Sequence, residues 1–199
     1  MTSPRGRCHT FDRGADGYAR SEASCGILLD LNAPGSTRVL LTSSSVKQDG
    51  RSASLTAPNG QAQRDLIVGT RSREDESAGS PPFHEAHGTG TALGDPVEVG
   101  ALAAAALAEE DSEGRAVLEV SGVKANLGHA EPAAGMTGLM KAMAGLQRGV
   151  AVPNAQLRAV NLAVASTFRV GSCMLGVQAN GHQMEEAAAG GSVSSFGYS

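Results

Sequence analysis

Two histidines, His87 and His129, each stand in a glycine-containing loop directly ahead of a helix start, and Lys124 lies five residues before the second. Glycine loops permit backbone conformations and close approaches that a side chain would block, so side chains mounted on them can converge on a ligand. Neutral imidazole N–H groups aimed at a carbonyl oxygen stabilise an oxyanion or an enolate. One lost donor of this kind costs roughly two to three orders of magnitude in rate. For any single histidine the plainer reading is a hydrogen-bonded loop residue. Convergence of several such groups is what would make a site.

Two other chemistries use similar residues. His84, Glu85 and His87 invite a zinc reading, but HEAH is one residue short of the HExxH spacing, and residues three apart on a strand point to opposite faces. The run GTGTALG has the look of a phosphate cradle. It lacks the P-loop lysine, its third glycine comes one position late for GxGxxG, and no clean apolar strand precedes it.

The elements that position the histidines can be read from their flanks. From Phe83 to Leu102 the order is loop into helix, with Asp95 placed as N-cap, Pro96 at the first helical position and Glu98 three residues after the cap. That helix is expected to run to about Glu110, where EEDSEG breaks it. A strand over Ala116–Val123 leads to Lys124 and His129, and a second helix spans Pro132 to Arg148, stopped by Gly149. Lys141 and Arg148 are its sole charges, and a helix so apolar all round is expected to be buried on all sides. Elsewhere the pattern predicts strands near Gly26–Leu31, Arg38–Ser43, Phe168–Val170 and Met174–Val177. A short helix is expected over 61–71, and the most linker-like run is Thr70–Pro82.

Composition narrows the class. The chain has 199 residues, 41% of them hydrophobic, a net charge of −4 and 26 glycines, which suits a globular domain with close-packed small-residue interfaces. Aromatics are only 3%, and 20 acidic residues outnumber 16 basic ones, so no nucleic-acid partner is expected. The N-terminal MTSPRGRCHTFDRG has no apolar run for a signal peptide, and no stretch approaches a membrane span. Three cysteines without metal-like spacing, Cys8, Cys25 and Cys173, favour reduced thiols and an intracellular, cytoplasmic home.

The motifs FDRGADGYARSE, QDGRSASLTAPNGQAQ, EAHGTGTALGDPVEVGAL, SGVKANLGHAEPAAG and the terminal SSFGYS, taken in that order, resemble the β-ketoacyl synthases. The likeness is to the ketosynthase domains of type I or modular polyketide synthases and related fatty acid synthases, and it runs over nearly the whole chain. It implies an α/β, thiolase-like fold of layered αβαβα architecture, present here in incomplete form. Residues 1–56 would be the last strands and loops of the N-terminal half, and 57–199 the C-terminal half up to a point before its final motif. It further implies decarboxylative Claisen condensation of acyl and malonyl thioesters, with no tightly bound cofactor. The implied partners are acyl carrier protein, whose phosphopantetheine carries the substrates, and a second copy in a homodimer. By matched position, His87 and His129 would be the catalytic histidines, Lys124 a supporting catalytic cation, and Thr89 and Thr91 substrate-binding residues lining the carrier-arm channel.

The departures bear on activity. The family's nucleophilic cysteine lies in a small-residue motif upstream of the FD segment, and none of Cys8, Cys25 or Cys173 has such surroundings in the sequence. The chain alone is therefore expected to be inactive, the alternative being a non-catalytic fragment that acts as an interaction module. Lys47 stands where the family usually has Asn, Pro132 where it has Ala, Ser21 and Ala23 replace glycines around Glu22, and a helix expected near Leu66–Ser77 is hard to recognise.

Overall fold

The computed structural model describes residues 1–31, 39–50, 57–72, 83–108, 118–170, 173–175, 182–183 and 190–197. The predicted EEDSEG helix break lies outside the described residues, as do most of the Thr70–Pro82 linker and Val177.

A parallel sheet organises the chain. Its strands are β1 (Phe83–Glu85), β2 (Leu118–Ser121), β4 (Cys173–Leu175) and β6 (Gly191–Val193), in the order β4-β2-β1-β6. β3 (Val150–Ala151) and β5 (His182–Gln183) form a separate antiparallel pair. Five α-helices accompany them among the described residues: α1 (Gly60–Arg71), α2 (Gly94–Leu107), α3 (Lys124–Leu127), α4 (Ala134–Arg148) and α5 (Leu162–Val170). A single 3₁₀ turn, Glu131–Ala133, leads into α4.

Period-two alternation splits β1 between two layers. Phe83 packs with Ala142 of α4 and Val193 of β6, and Glu85 also turns towards α4. His84 faces the other way, bonded to Ser192 and Ser194. The main core lies on that second side, where Val99, Leu102 and Ala105 of α2 meet Leu118 and Val120 of β2, Ile67 of α1, Val164 of α5 and Phe11. Leu102 is 1% exposed at its centre. Leu102→Ala is expected to cost about 2–5 kcal/mol, measured as a lower denaturant midpoint, because a filled site becomes a cavity.

Several expectations from the sequence need correction. Residues 26–31 and 39–43 form no strand, and Leu28, Leu29, Leu31, Leu40 and Leu41 are exposed. Apolar residues of that kind become a strand only against a neighbouring ladder, and among the described residues none lies beside them. Phe168–Val170 belongs to α5 rather than to a strand, while the next expected strand appears as Cys173–Leu175, one residue early. α4 is not buried all round. Ala134, Gly138 and Ala142 make a buried stripe, and Met140 is exposed. Most of its other positions are half-buried, and Gln147 and Arg148 are exposed with Met140.

Other expectations are matched. α1 covers 61–71, capped by Asn59, whose side chain accepts from Ala62 N at 3.2 Å, and Asn59 is itself held by Asp49. α4 ends at Gly149 in the left-handed conformation, φ 62°, as a C-terminal glycine should.

Candidate active site

Parallel strands end together, and the ends of β2, β1 and β6 lie side by side. Lys124 follows β2, His87 follows β1, and Phe196 follows β6, so three neighbouring carboxyl ends deliver three residues to one place. His129 arrives from the loop after α3. Its ring lies 5.4 Å from that of His87, centroid to centroid, at 87°. The Tyr18 ring packs on His129 at 5.1 Å and Phe196 on His87 at 5.6 Å. The sequence's three candidates are thus brought together. Lys124 sits not in a loop but at the start of the short α3, with its ammonium donating to the His87 carbonyl and lying 3.4 Å from His87 Nδ1.

Hydrogen bonds define the tautomer of each ring. Phe196 N–H donates to His87 Nδ1 at 3.2 Å, and Glu131 N–H donates to His129 Nδ1 at 3.0 Å. With Nδ1 accepting, a neutral ring carries its proton on Nε2. Both rings are held neutral. Burial pushes His87 well below the usual histidine range, aided by the Lys124 ammonium and by His129. Burial, then Lys124, brings His129 down to about 4. Burial also lowers Lys124 itself, a shift opposed by Glu98, Glu85, Cys8 and Asp95.

Two carboxylates that the sequence offered as helix caps do different work. α2 begins at Gly94 and has no side-chain cap, so Asp95 and Pro96 are already inside it. Asp95, fully buried, instead accepts from Phe11 N at 2.8 Å and Gly90 N at 3.0 Å. Glu98 accepts from His87 N at 2.6 Å, Gly88 N at 2.8 Å and the Ser194 hydroxyl at 3.0 Å. The side chains therefore reach across to fix the histidine loop rather than back to their own helix. The loop needs its glycines. Gly88 has φ 48°, and a Cβ there would come 2.6 Å from Thr10 Cγ2. At Gly90, φ 78°, a Cβ would come 2.7 Å from His9 N.

Thr89 and Thr91 are half-buried, with hydroxyls 3.2 Å apart, and Thr91 Oγ1 accepts from Gly94 N. The segment FDRGADGY packs against this loop. Phe11 is buried at φ 61°, Gly17 N donates to Gly90 O, and His129 exchanges backbone bonds with Ala19 and Ser21. A cavity of about 280 Å³ opens beside Phe196, between Ser45–Asp49, Ala62, Gln63 and Leu66 of α1, and Ser195–Gly197.

Sequence reasoning missed Tyr18, Ser194 and the backbone N–H of Phe196, and weighed Glu85 only as a zinc ligand. Glu85 carried a signal: a carboxylate inside the buried stretch FHEAH must be paired. Glu85 is fully buried, accepts from Val123 N and from the Ser121 hydroxyl, and forms an ion pair with Lys141 at 2.7 Å.

The protonation pattern predicts how stability changes with pH. His84 at about 3, His129 at about 4 and His87 all lie below the unfolded value of 6.5. The unfolded chain therefore binds more protons as pH falls below 6.5, and stability conferred by the neutral rings is lost through that window. Asp95, pushed up to about 7 first by burial, and Glu98, raised by the same cause, act with the opposite sign and offset part of the loss. With three imidazoles against two carboxyls, the thermal midpoint is expected to fall from about pH 6.5 to about pH 4.5. A midpoint that rises over that range would contradict these assignments.

The chain is a mixed α/β structure with its candidate site at the carboxyl ends of parallel strands, and its likeness to solved ketosynthases makes it part of a thiolase-like fold. A ketosynthase from module 6 of the bacillaene synthase from Bacillus subtilis 168 superimposes with a TM-score of 0.79 at 27% identity, covering 100% of this chain and 36% of that one. The oxazolomycin ketosynthase domain OzmH KS7 from Streptomyces albus JA3453 gives 0.73 at 28% identity, covering 87% and 30%. Residues 39–158 match the family model for the beta-ketoacyl synthase C-terminal domain. The chain belongs to that family. It is 42% identical to a phenolphthiocerol/phthiocerol polyketide synthase of Mycobacterium tuberculosis, over 75% of this chain and 7% of the relative. A lovastatin nonaketide synthase of Monascus pilosus is 40% identical over 84% of this chain and 6% of the relative. The chain thus spans only a small fraction of these relatives' length. No described helix is long and apolar enough to cross a membrane.

Proposed function

We propose that this chain supplies the oxygen-binding half of a ketosynthase active site for decarboxylative condensation of acyl and malonyl thioesters. His87 and His129 are its hydrogen-bond donors. The observation that carries the reading is the pair of accepted bonds at Nδ1, which leaves two neutral rings 5.4 Å apart with protons on Nε2. As malonyl loses carbon dioxide, negative charge grows on the thioester oxygen, and N–H donors already in place stabilise it. Lys124 supports this in two ways: it holds the His87 carbonyl, and its charge helps keep both imidazoles neutral. Thr89 and Thr91, on the same loop, line the approach of the phosphopantetheine arm of acyl carrier protein. Residues 1–56 belong to the N-terminal half of the fold and 57–199 to the C-terminal half, and the assembled enzyme is a cytoplasmic homodimer.

Covalent loading of the acyl group needs an activated thiolate. Cys8 is buried, its thiol pushed up by desolvation, and it accepts from Ala19 N at 3.2 Å. Cys25 packs 3.7 Å from the Thr137 hydroxyl, and Cys173 lies within the sheet, in β4. No cysteine follows a strand end as His87 does, so the acyl-bearing thiolate is assigned to none of the three. The chain alone, given acyl and malonyl carrier thioesters, is expected to yield no elongated product. Condensation by the chain alone would move the nucleophile to one of its own cysteines. The reading itself is tested by malonyl decarboxylation in a synthase containing this chain: rates that survive replacement of both histidines would overturn it.

A further inference from the structure

Lys141 is one of only two charges inside α4, and the mechanism above does not use it. Its side chain is 14% exposed and turns into the protein, where the ammonium donates to Glu85 Oε2 at 2.7 Å and to Ser121 Oγ at 2.8 Å. Gly138 lies one turn earlier on the same face, and a Cβ there would sit 3.3 Å from Glu85 Cγ. The helix thus approaches closely enough for the lysine to reach the carboxylate. Glu85 spends its other oxygen on Val123 N, and Ser121 donates to it from the end of β2.

This one carboxylate joins three segments. It lies two residues before His87 at the end of β1, it holds the residue before Lys124 at the start of α3, and it is tied to α4, whose leading turn follows His129. We infer that Lys141 is a positioning residue: acting through Glu85, its ammonium holds the start of α3, and Lys124 with it, against the strand end that carries His87. A buried carboxylate with no counter-charge is strongly destabilising, so the lysine sets whether this junction keeps its geometry. The inference rests on the reading of His87 and Lys124 as parts of the oxygen-binding site.

Two variants of the isotope-labelled full chain test it: Lys141→Met alone, and Lys141→Met with Glu85→Gln. In Lys141→Met the Val123 amide should exchange with solvent about tenfold faster, the effect of one lost hydrogen bond, and the Lys124 ammonium and His87 imidazole resonances should move. In the double variant all three signals should return towards wild type. Glutamine can still accept from Val123 N through its oxygen and donate to Ser121, and no buried charge is left alone. Wild-type signals in a folded Lys141→Met chain would overturn the inference. So would a double variant no closer to wild type than the single one, whether or not either folds. These signals do not depend on turnover, whereas decarboxylation by His87 and His129 variants tests the site reading without touching Lys141.

Discussion

His129→Ala, made in a synthase containing this chain, is expected to slow malonyl decarboxylation by about two to three orders of magnitude, and His87→Ala by a similar factor. The size follows from what is lost. Each ring is neutral and preoriented by a backbone N–H at Nδ1, so each offers a donor whose position requires no rearrangement as charge develops. Substrate binding draws on the whole thioester, so kcat should fall more than KM rises. If both rings serve one oxygen, the double variant should fall by less than the product of the single losses. Full multiplicativity would mean that they act at separate steps. Lys124→Met should be milder, since it removes a support rather than a donor to substrate.

Glu98→Ala is expected to be the most damaging change outside the histidines. Three donors lose their acceptor at once: His87 N, Gly88 N and the Ser194 hydroxyl. An unsatisfied buried donor costs about 1–3 kcal/mol, so the loss should be on the order of 3 kcal/mol or more, read from denaturant unfolding. Decarboxylation should fall as well, because the carboxylate fixes the peptide on which His87 is mounted. Glu98→Gln separates shape from charge. It keeps the volume and one acceptor oxygen but turns an amide NH₂ towards an N–H donor, so its effect should be intermediate. A glutamine variant as stable and active as wild type would show that the loop holds itself.

Much of this architecture could be read from residue types. Gly149 after an apolar helix and the HGTG loop ahead of another are local signals, and the structure keeps them, while the cap that Asn59 supplies to α1 emerges only from the fold. The histidines and Lys124 were legible because loops and strand ends are where chemistry gathers. Asp95 and Glu98 were misjudged because a capping box and a cross-loop strut use the same residues at the same spacing. Only the fold reveals that Phe11, Gly88 and Gly90 compete successfully for those oxygens. The strands expected at 26–31 and 39–43 failed for a different reason. Strand formation is settled by a partner ladder, which no local pattern can supply. The same holds for Phe168, which a short apolar run placed in a strand and which the packing of α5 against α2 and β4 places in a helix.

The most direct test is nitrogen NMR of the histidine side chains in the chain labelled at imidazole nitrogen, followed from about pH 7 to about pH 5, a window that spans the ordinary histidine titration. His87 and His129 are both expected to remain neutral, protonated on Nε2 and unprotonated on Nδ1, and His129 to gain a proton only near its value of about 4. An imidazolium at either position by about pH 6, or a proton on Nδ1 at about pH 7, would contradict the claim that this chain presents two ready donors to a thioester oxygen.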